Sequence, residues 1–217
     1  MAKKAGLGAE FFIGGYDLSG DVGAIDTIQG PRGVFDVTGI NKSAMERVYG
    51  RNDAEISFTS FFNDAAGQEH AALKGLPTAD VRVLAMMAAA LGSPAAMLTA
   101  KQINYDPTGS PDGALSISVQ CLANGVPLEW GKSIIAASTI TGAGNSASED
   151  NAASSASGLA TMIQCWAFTG TSITVALQES SDNGGVDPFA SIATFTAISA
   201  AFASERKTVT GTVERYL

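Results

Sequence analysis

Strict alternation of apolar and polar residues marks the clearest predicted strands of this chain. Residues 115–121 alternate without an exception, and residues 55–59 repeat the pattern over a shorter run. Successive side chains of a strand point to opposite faces, so a period of two predicts strands with one buried face. Residues 97–105 form a further predicted strand, and the turn signal at residues 106–109 makes 96–123 a hairpin with a long tip.

Short apolar runs bounded by glycine and polar residues predict the remaining strands. The run Phe11-Phe12-Ile13 is followed by two glycines, which predicts a strand, a turn and an extended return. Residues 81–88 fit either a helix or a strand, and we favour the strand. Near the C-terminus the predicted strands are residues 162–168, 173–177, 189–198 and 207–217.

One short helix is predicted between these strands. Asn63 or Asp64 can cap its N-terminus, and residues 65–74 are good helix formers. Gly75, followed by Pro77, ends it, because glycine and proline are the usual residues just beyond a helix C-terminus. The pattern therefore predicts a mainly β chain with a single flanking helix.

A stretch of small polar residues at 139–158 divides the chain. Serine, alanine, glycine, asparagine and threonine dominate it, and such a composition cannot bury a core. We expect a β domain over residues 1–138, a linker or long loop over 139–158, and a small C-terminal β module over 159–217.

Charge narrows the possible functions. The 217 residues include 21 acidic and 13 basic side chains, which gives a net charge of −8. A protein that grips duplex DNA relies on lysine and arginine to neutralise phosphates, so this balance argues against that role. Residues 1–4 carry positive charge, but no apolar run follows them, so no secretory signal is expected.

Residues that could carry enzyme chemistry are scarce. His70 is the sole histidine and lies in the predicted helix, where a solvated surface position is expected. Cys121 and Cys165 lie in apolar strand patterns, which favours buried free thiols over a disulfide or a metal site. We therefore expect no enzyme activity, no catalytic residues, no cofactor and no metal.

Glycine-rich and acidic segments give only weak signals for ligand binding. Gly6-Leu7-Gly8 and residues 141–144 lack the further glycine or the lysine that a phosphate-binding loop needs. Residues 182–187 offer oxygen ligands that could hold calcium, but a plain turn is favoured because the ligand spacing is irregular. Glu149 and Asp150 are expected to keep the linker solvated.

Several short segments resemble a known family. Residues 13–20 (IGGYDLSG) resemble the opening of many tail tube proteins of long-tailed bacteriophages. Residues 36–47 and 53–63 look like the next parts of that pattern, and residues 101–107 and 124–131 are similar to such phage proteins as well. The C-terminal part resembles small β-sandwich modules appended to virion proteins.

The resemblance implies a fold and a role. The expected fold is two packed antiparallel sheets, a tail-tube-like β-sandwich, with a short flanking helix. Subunits of this type form rings, usually hexameric, that stack into the tail tube through which DNA passes without being held. The expected partners are copies of the chain itself and other phage tail proteins, with no membrane. The expected location is the virion, after synthesis in the host bacterial cytoplasm. A capsid decoration protein or a carbohydrate-binding module is the alternative.

One segment is a candidate assembly loop. Residues 35–52 lack a clear strand pattern, and loops of that length inside a compact domain are usually functional or disordered. Four basic side chains lie in or beside it, in a chain that is otherwise acidic. We expect them to dock onto acidic surfaces of neighbouring subunits. They are Arg32, Lys42, Arg47 and Arg51.

Overall fold

The computed structural model describes residues 6–217, so the charged residues 1–4 lie outside the described part of the chain. Strands hold 44% of the residues and helix 2%, which confirms the mainly β class. The helix α1 spans Glu69–Leu73. The strands are β1 (Glu10–Ile13), β2 (Tyr16–Asp17), β3 (Val22–Gln29), β4 (Arg32–Asp36), β5 (Arg47–Asn52), β6 (Glu55–Phe61), β7 (Val81–Met86), β8 (Pro94–Gln102), β9 (Asp106–Gly109), β10 (Leu115–Ala123), β11 (Glu129–Lys132), β12 (Leu159–Cys165), β13 (Ala176–Glu179), β14 (Ala190–Thr194) and β15 (Ala203–Val209).

Nine strands form one antiparallel sheet in the order β2-β1-β7-β8-β10-β6-β3. Two short strands complete it, because β11 pairs with β8 and β9 pairs with β10. Strand β8 joins the two halves, since its last residues pair with β10 while its first residues pair with β11. The two sheets expected from the resemblance are thus two halves of one hydrogen-bonded sheet.

The two halves face each other across a single core. Phe11 of β1 and Phe58 of β6 lie 4.5 Å apart between ring centroids, although three strands separate β1 from β6 in the sheet. The core also takes Val83, Leu98 and Val119 from the strands between them, all fully buried. Apolar side chains at every second position supply this core, which is why alternation predicted β6 and β10 correctly.

The helix is shorter than the pattern predicted. It begins at Glu69, with Gln68 at the N-cap, instead of near residue 65. Gly67 has a φ of 78°, a left-handed conformation that a helix cannot include, so the residues before it form a turn. Asn63 caps that turn by accepting the Ala65 N–H at 3.2 Å. Leu73 anchors the helix in the core.

The prediction of a turn at residues 106–109 is wrong. These residues form β9, which pairs with β10 from Gly109 opposite Leu115. Pro107 is tolerated there because β9 is an edge strand, where a missing N–H costs no ladder hydrogen bond. The turn lies further along, where the Ser110 N–H donates to the Ala114 carbonyl at 2.8 Å and Gly113 takes a positive φ.

The C-terminal residues form two further antiparallel pairs. Strand β12 pairs with β15, and β13 pairs with β14. Residues in the second half of the expected linker also pair, since isolated bridges join Asp150 to Tyr216 and Ser155 to Val213. The division of the chain at 139–158 stays a prediction, but these bridges attach its second half to the C-terminal module. Within residues 6–217 no helix is long and apolar enough to cross a membrane.

Candidate assembly surfaces

The candidate assembly loop is a β-hairpin, which we call the arm and define as residues 32–52. Within residues 6–217, strands β4 and β5 pair only with each other, with Val34 opposite Tyr49 and Phe35 opposite Val48. No strand was predicted here because both faces of the hairpin are open to solvent, so no alternation marks a buried face.

Apolar side chains cover the arm on both faces. Ile40, at its tip, is fully exposed, and Phe35 is 63% exposed. Soluble monomers rarely leave so many large apolar side chains together in water, and such patches commonly mark interaction sites. The seven large apolar residues exposed on the arm are Val34, Phe35, Val37, Ile40, Met45, Val48 and Tyr49.

Hydrogen bonds give the distal part of the arm a defined shape. The Thr38 N–H donates to the Asp36 carboxylate at 2.9 Å, and the Glu46 N–H donates to the Thr38 hydroxyl at 2.8 Å. The Asp36 carboxylate accepts the Thr38 hydroxyl as well, and these bonds lower the pKa of Asp36. Nearer the base, Phe35 lies over Gly50, where an added Cβ would meet its ring at 2.7 Å. The arm is therefore an ordered element despite its exposure.

The structure brings the four predicted basic residues together on this arm. Arg32 stacks on the Tyr49 ring at 5.0 Å and donates to the Asn52 side chain at 2.7 Å. Lys42 pairs with Glu46 at 3.0 Å. Among the described residues, neither Arg47 nor Arg51 forms an ion pair, so these two cations are available to a partner.

A second surface lies where the C-terminal module packs on the sheet. Gln164 of β12 accepts the Gly15 N–H at 2.7 Å and donates to the Arg82 carbonyl at 2.9 Å. The Tyr16 and Phe202 rings stack with centroids 4.2 Å apart. These contacts hold the module against β1, β2 and β7.

Ion pairs reinforce the same attachment. Arg206 of β15 binds the Glu129 carboxylate of β11 with two hydrogen bonds, the Nε–Oε2 bond being 2.7 Å long. This pairing raises the pKa of Arg206. Lys132 of β11 reaches Glu149 at 2.9 Å. Both pairs cross between the sheet and the C-terminal part of the chain.

Between the module and the sheet is an apolar cleft of about 620 Å³. Its floor includes Phe12 and Trp166, whose rings are 5.2 Å apart. Trp130, Ile135 and Ile140 line it while staying largely exposed, so the apolar lining continues to the surface. We call this the cleft. Sequence reasoning missed it because its lining residues come from segments more than 100 positions apart.

One carboxylate that lines the cleft belongs to a group of four. Glu214 lines the cleft, and its backbone N–H donates to the Glu179 carboxylate at 2.8 Å. Partial burial raises the pKa of Glu214, and the nearby Asp187, Glu179 and Asp182 raise it further. A carboxylate is harder to ionise beside like charges, so the raised pKa shows that Glu179, Asp182, Asp187 and Glu214 form one group of acidic side chains. We call it the acidic rim.

The loop at residues 182–187 is a self-contained turn. The Asp182 carboxylate accepts the backbone N–H groups of Gly185 at 2.9 Å and Val186 at 2.6 Å. The Asp187 carboxylate accepts both the N–H and the hydroxyl of Ser181 at 2.8 Å. Both carboxylates have lowered pKa values because of these bonds. Among residues 6–217 no cluster of histidine, cysteine and carboxylate side chains is suited to a metal ion.

Three polar groups lie in surroundings that differ from the expectation. His70 is half-buried, with Nδ1 2.7 Å from the Tyr105 hydroxyl, because α1 packs against that ring instead of facing solvent. Glu149 and Asp150 do not simply solvate the linker, since each pairs with a cation. Asp150 binds Arg215 through two bonds of 2.7 and 2.6 Å, which lowers its pKa to about 2.

The two cysteines are free, as expected, but only one is buried. Cys121 lies in the core, and burial raises the pKa of its thiol to about 12. Cys165 is half-buried at the end of β12, a position that opens toward solvent because the strand ends there. The raised pKa of both thiols makes them poor nucleophiles.

Comparisons with known proteins give little further guidance. No family model and no curated protein sequence matches this chain. Among solved structures, a chain of the "virion of native gene transfer agent (GTA) particle" is similar, with a TM-score of 0.44 and 16% sequence identity. The similarity covers 59% of this chain and 99% of that chain.

Proposed function

We propose that the protein is a non-enzymatic structural subunit of a bacteriophage virion, and that its copies form stacked rings that build the tail tube. The arm is the observation that carries this proposal. A hairpin with seven large exposed apolar side chains needs a covering surface, and self-assembly supplies one at every subunit.

Two features of the chain agree with this role. Segments such as residues 13–20 resemble tail tube proteins, where a β-rich subunit forms rings that are usually hexameric. The large antiparallel sheet is a rigid scaffold from which an assembly arm can project. In this proposal residues 1–138 form the tube-building domain and residues 159–217 an attached β module.

Charge fits the passage of DNA through such a tube. A lumen lined with lysine or arginine would hold the duplex, because each contact releases counterions. The net charge of −8 per subunit allows a wall lined mainly by aspartate and glutamate, which repels DNA over a Debye length of about 8 Å. Assembled particles should therefore not retain duplex DNA even at low salt, which a filter-binding or mobility assay measures.

Electron microscopy of the purified protein tests the proposal directly. Negative-stain images at high protein concentration should show rings and long regular tubes. A protein that stays monomeric at all concentrations, or that binds only to preformed capsids as a decoration protein would, contradicts the proposal. Tubes that bind DNA in a salt-sensitive way would contradict the tail tube assignment while leaving self-assembly intact.

A further inference from the structure

We propose that the arm of one copy inserts its apolar tip into the cleft of a second copy. This inference rests on the proposed self-assembly and names the two surfaces that meet. The donor surface is the tip, where Ile40 is fully exposed and Val37 and Met45 are more than half exposed. The receiving surface is the cleft between the sheet and the C-terminal module.

The cleft has the size and lining for such an insertion. Its volume of about 620 Å³ lies within the roughly 300–1,000 Å³ that binding clefts in proteins span. That space admits several side chains of the size of isoleucine or methionine. Trp130, Ile135 and Ile140 present exposed apolar surface along its lining, and Lys132, the cation in that lining, is already paired with Glu149 at 2.9 Å.

The arm and the cleft of one chain do not contact each other. None of the residues lining the cleft belongs to the arm of the same chain. Donor and receiver are therefore different patches of one subunit, and their contact is heterologous. Head-to-tail contacts of this kind generate closed rings or open stacks, whereas a contact between two identical patches would end at a dimer.

Charge complementarity favours the same pairing. The arm carries four basic residues and two acidic ones, a net charge of +2, in a chain whose total is −8. The cleft is bordered by the acidic rim, where Glu214 lies beside three further carboxylates. In this pairing Arg47 and Arg51 face the acidic rim while the tip fills the cleft. Opposite charges placed in this way increase the association rate and fix the register.

Variants with one introduced cysteine test which surfaces meet. Ile40→Cys and Ile135→Cys are prepared separately, mixed in equal amounts and oxidised with copper phenanthroline under conditions where the native chain forms oligomers. The expected product is a disulfide that joins position 40 of one chain to position 135 of another, identified by mass spectrometry after non-reducing electrophoresis. Among the native thiols Cys121 is buried, and the partly exposed Cys165 is replaced by serine in every variant to remove its background.

A matched control uses Leu7, which is 90% exposed and lies outside the arm. Leu7→Cys mixed with Ile135→Cys should give no defined product. In parallel, Ile40→Asp should weaken association about tenfold or more, since the burial of one isoleucine is lost, whereas Leu7→Asp should leave it unchanged.

The outcomes separate this inference from the proposed function. A disulfide between positions 40 and 135 in the oligomer supports the arm-to-cleft contact. Oligomers that are linked only between two copies of position 40, or that show no bond at either position, overturn that contact and leave the structural role standing. A native chain that never forms oligomers overturns both.

Discussion

The nine-stranded sheet and the arm use the same β structure in opposite ways. In the sheet, Phe58 is fully buried and contacts Phe11 at 4.5 Å between ring centroids. In the arm, Phe35 is 63% exposed, opposite Val48, and its ring lies over Gly50 of the neighbouring strand. Both regions are antiparallel and rich in apolar residues. What separates them is whether the chain itself provides a second layer.

That difference indicates a division of roles. The sheet folds back on itself, so its apolar side chains stabilise the monomer. Among residues 6–217 no second layer covers the arm, so its apolar side chains stay exposed in the monomer. Mutations in the two regions should therefore affect different measurements, folding in one case and association in the other.

The largest expected effect on folding is in the sheet. Phe58→Ala should lower the free energy of unfolding by about 3–5 kcal/mol, because it leaves a cavity in the shared core. Phe35→Ala in the arm is the matched control and should change it by less than about 1 kcal/mol. Urea unfolding of both variants measures this. Equal losses for the two phenylalanines would remove the distinction between the regions.

Charge reversal in the arm should act on association alone. Arg47→Glu combined with Arg51→Glu should weaken self-association about a hundredfold or more and block stacking, because the arm then repels the acidic surface of its neighbour. The free energy of unfolding should stay within about 0.5 kcal/mol of the native value, as both side chains are exposed.

Sedimentation velocity measures the loss of association in this variant. The control is Lys74→Glu, which reverses the charge of an exposed side chain outside the arm. It is compared with the single variant Arg47→Glu. Normal tubes from the double variant would show that the basic residues of the arm have no part in assembly.

Weakening the attachment of the C-terminal module should change the free energy of unfolding by an intermediate amount. Glu129→Gln removes the charge that binds Arg206 through two hydrogen bonds, and both side chains are mostly buried. The free energy of unfolding should fall by about 1–2 kcal/mol, and protease cleavage near the module should become faster. Glu46→Gln, which breaks the exposed pair with Lys42, should cost less than about 0.5 kcal/mol. Equal small effects from both variants would mean that the module does not depend on this contact.

The smallest effect should be a gain in stability at Glu69. This carboxyl group is fully buried on α1, and its backbone N–H donates to the Asp21 carboxylate at 3.0 Å. Burial raises the pKa of Glu69, and the charge of Asp21 adds to the increase. Because the pKa of Glu69 is higher in the folded state than in the unfolded state, where it is about 4.3, the carboxyl group costs no stability at pH values below about 4.3. It lowers the stability of the fold as the pH rises through the folded-state pKa.

Glu69→Gln should therefore raise the free energy of unfolding at pH 7 by about 1 kcal/mol, with the gain shrinking as the pH falls toward about 4. Chemical unfolding at a series of pH values measures it. Glu46→Gln, on the exposed arm, should show no such gain at neutral pH. A gain at position 69 that grows toward acid pH would mean that the carboxyl group is stabilised in its ionised form.

Sequence patterns predicted the parts of the fold that have one buried face. Residues 115–121 alternate because β10 lies between core and solvent, and the observed strand covers all of them. The arm strands carry no such signal, since solvent surrounds both faces. The turn signal at residues 106–109 was overridden by pairing with β10, which supplies hydrogen bonds that local propensity cannot anticipate.

The candidate site was predictable only in part. Its basic residues stood out because the chain is acidic, and the structure places all four on one hairpin. The cleft depends on how residues near 12, 130 and 166 come together, which no local pattern encodes. Charge patterns therefore singled out the arm, while tertiary packing was needed to find the cleft.

Hydrogen exchange measured across a concentration series tests the central claim, that the arm is the region covered by assembly. In the monomer, amides of the central strands β6, β7, β8 and β10 should be protected, while those of β4 and β5 exchange quickly. In the oligomer the arm amides should become at least about tenfold slower, with the central strands unchanged. Arm amides that exchange equally fast in monomer and oligomer would contradict the account.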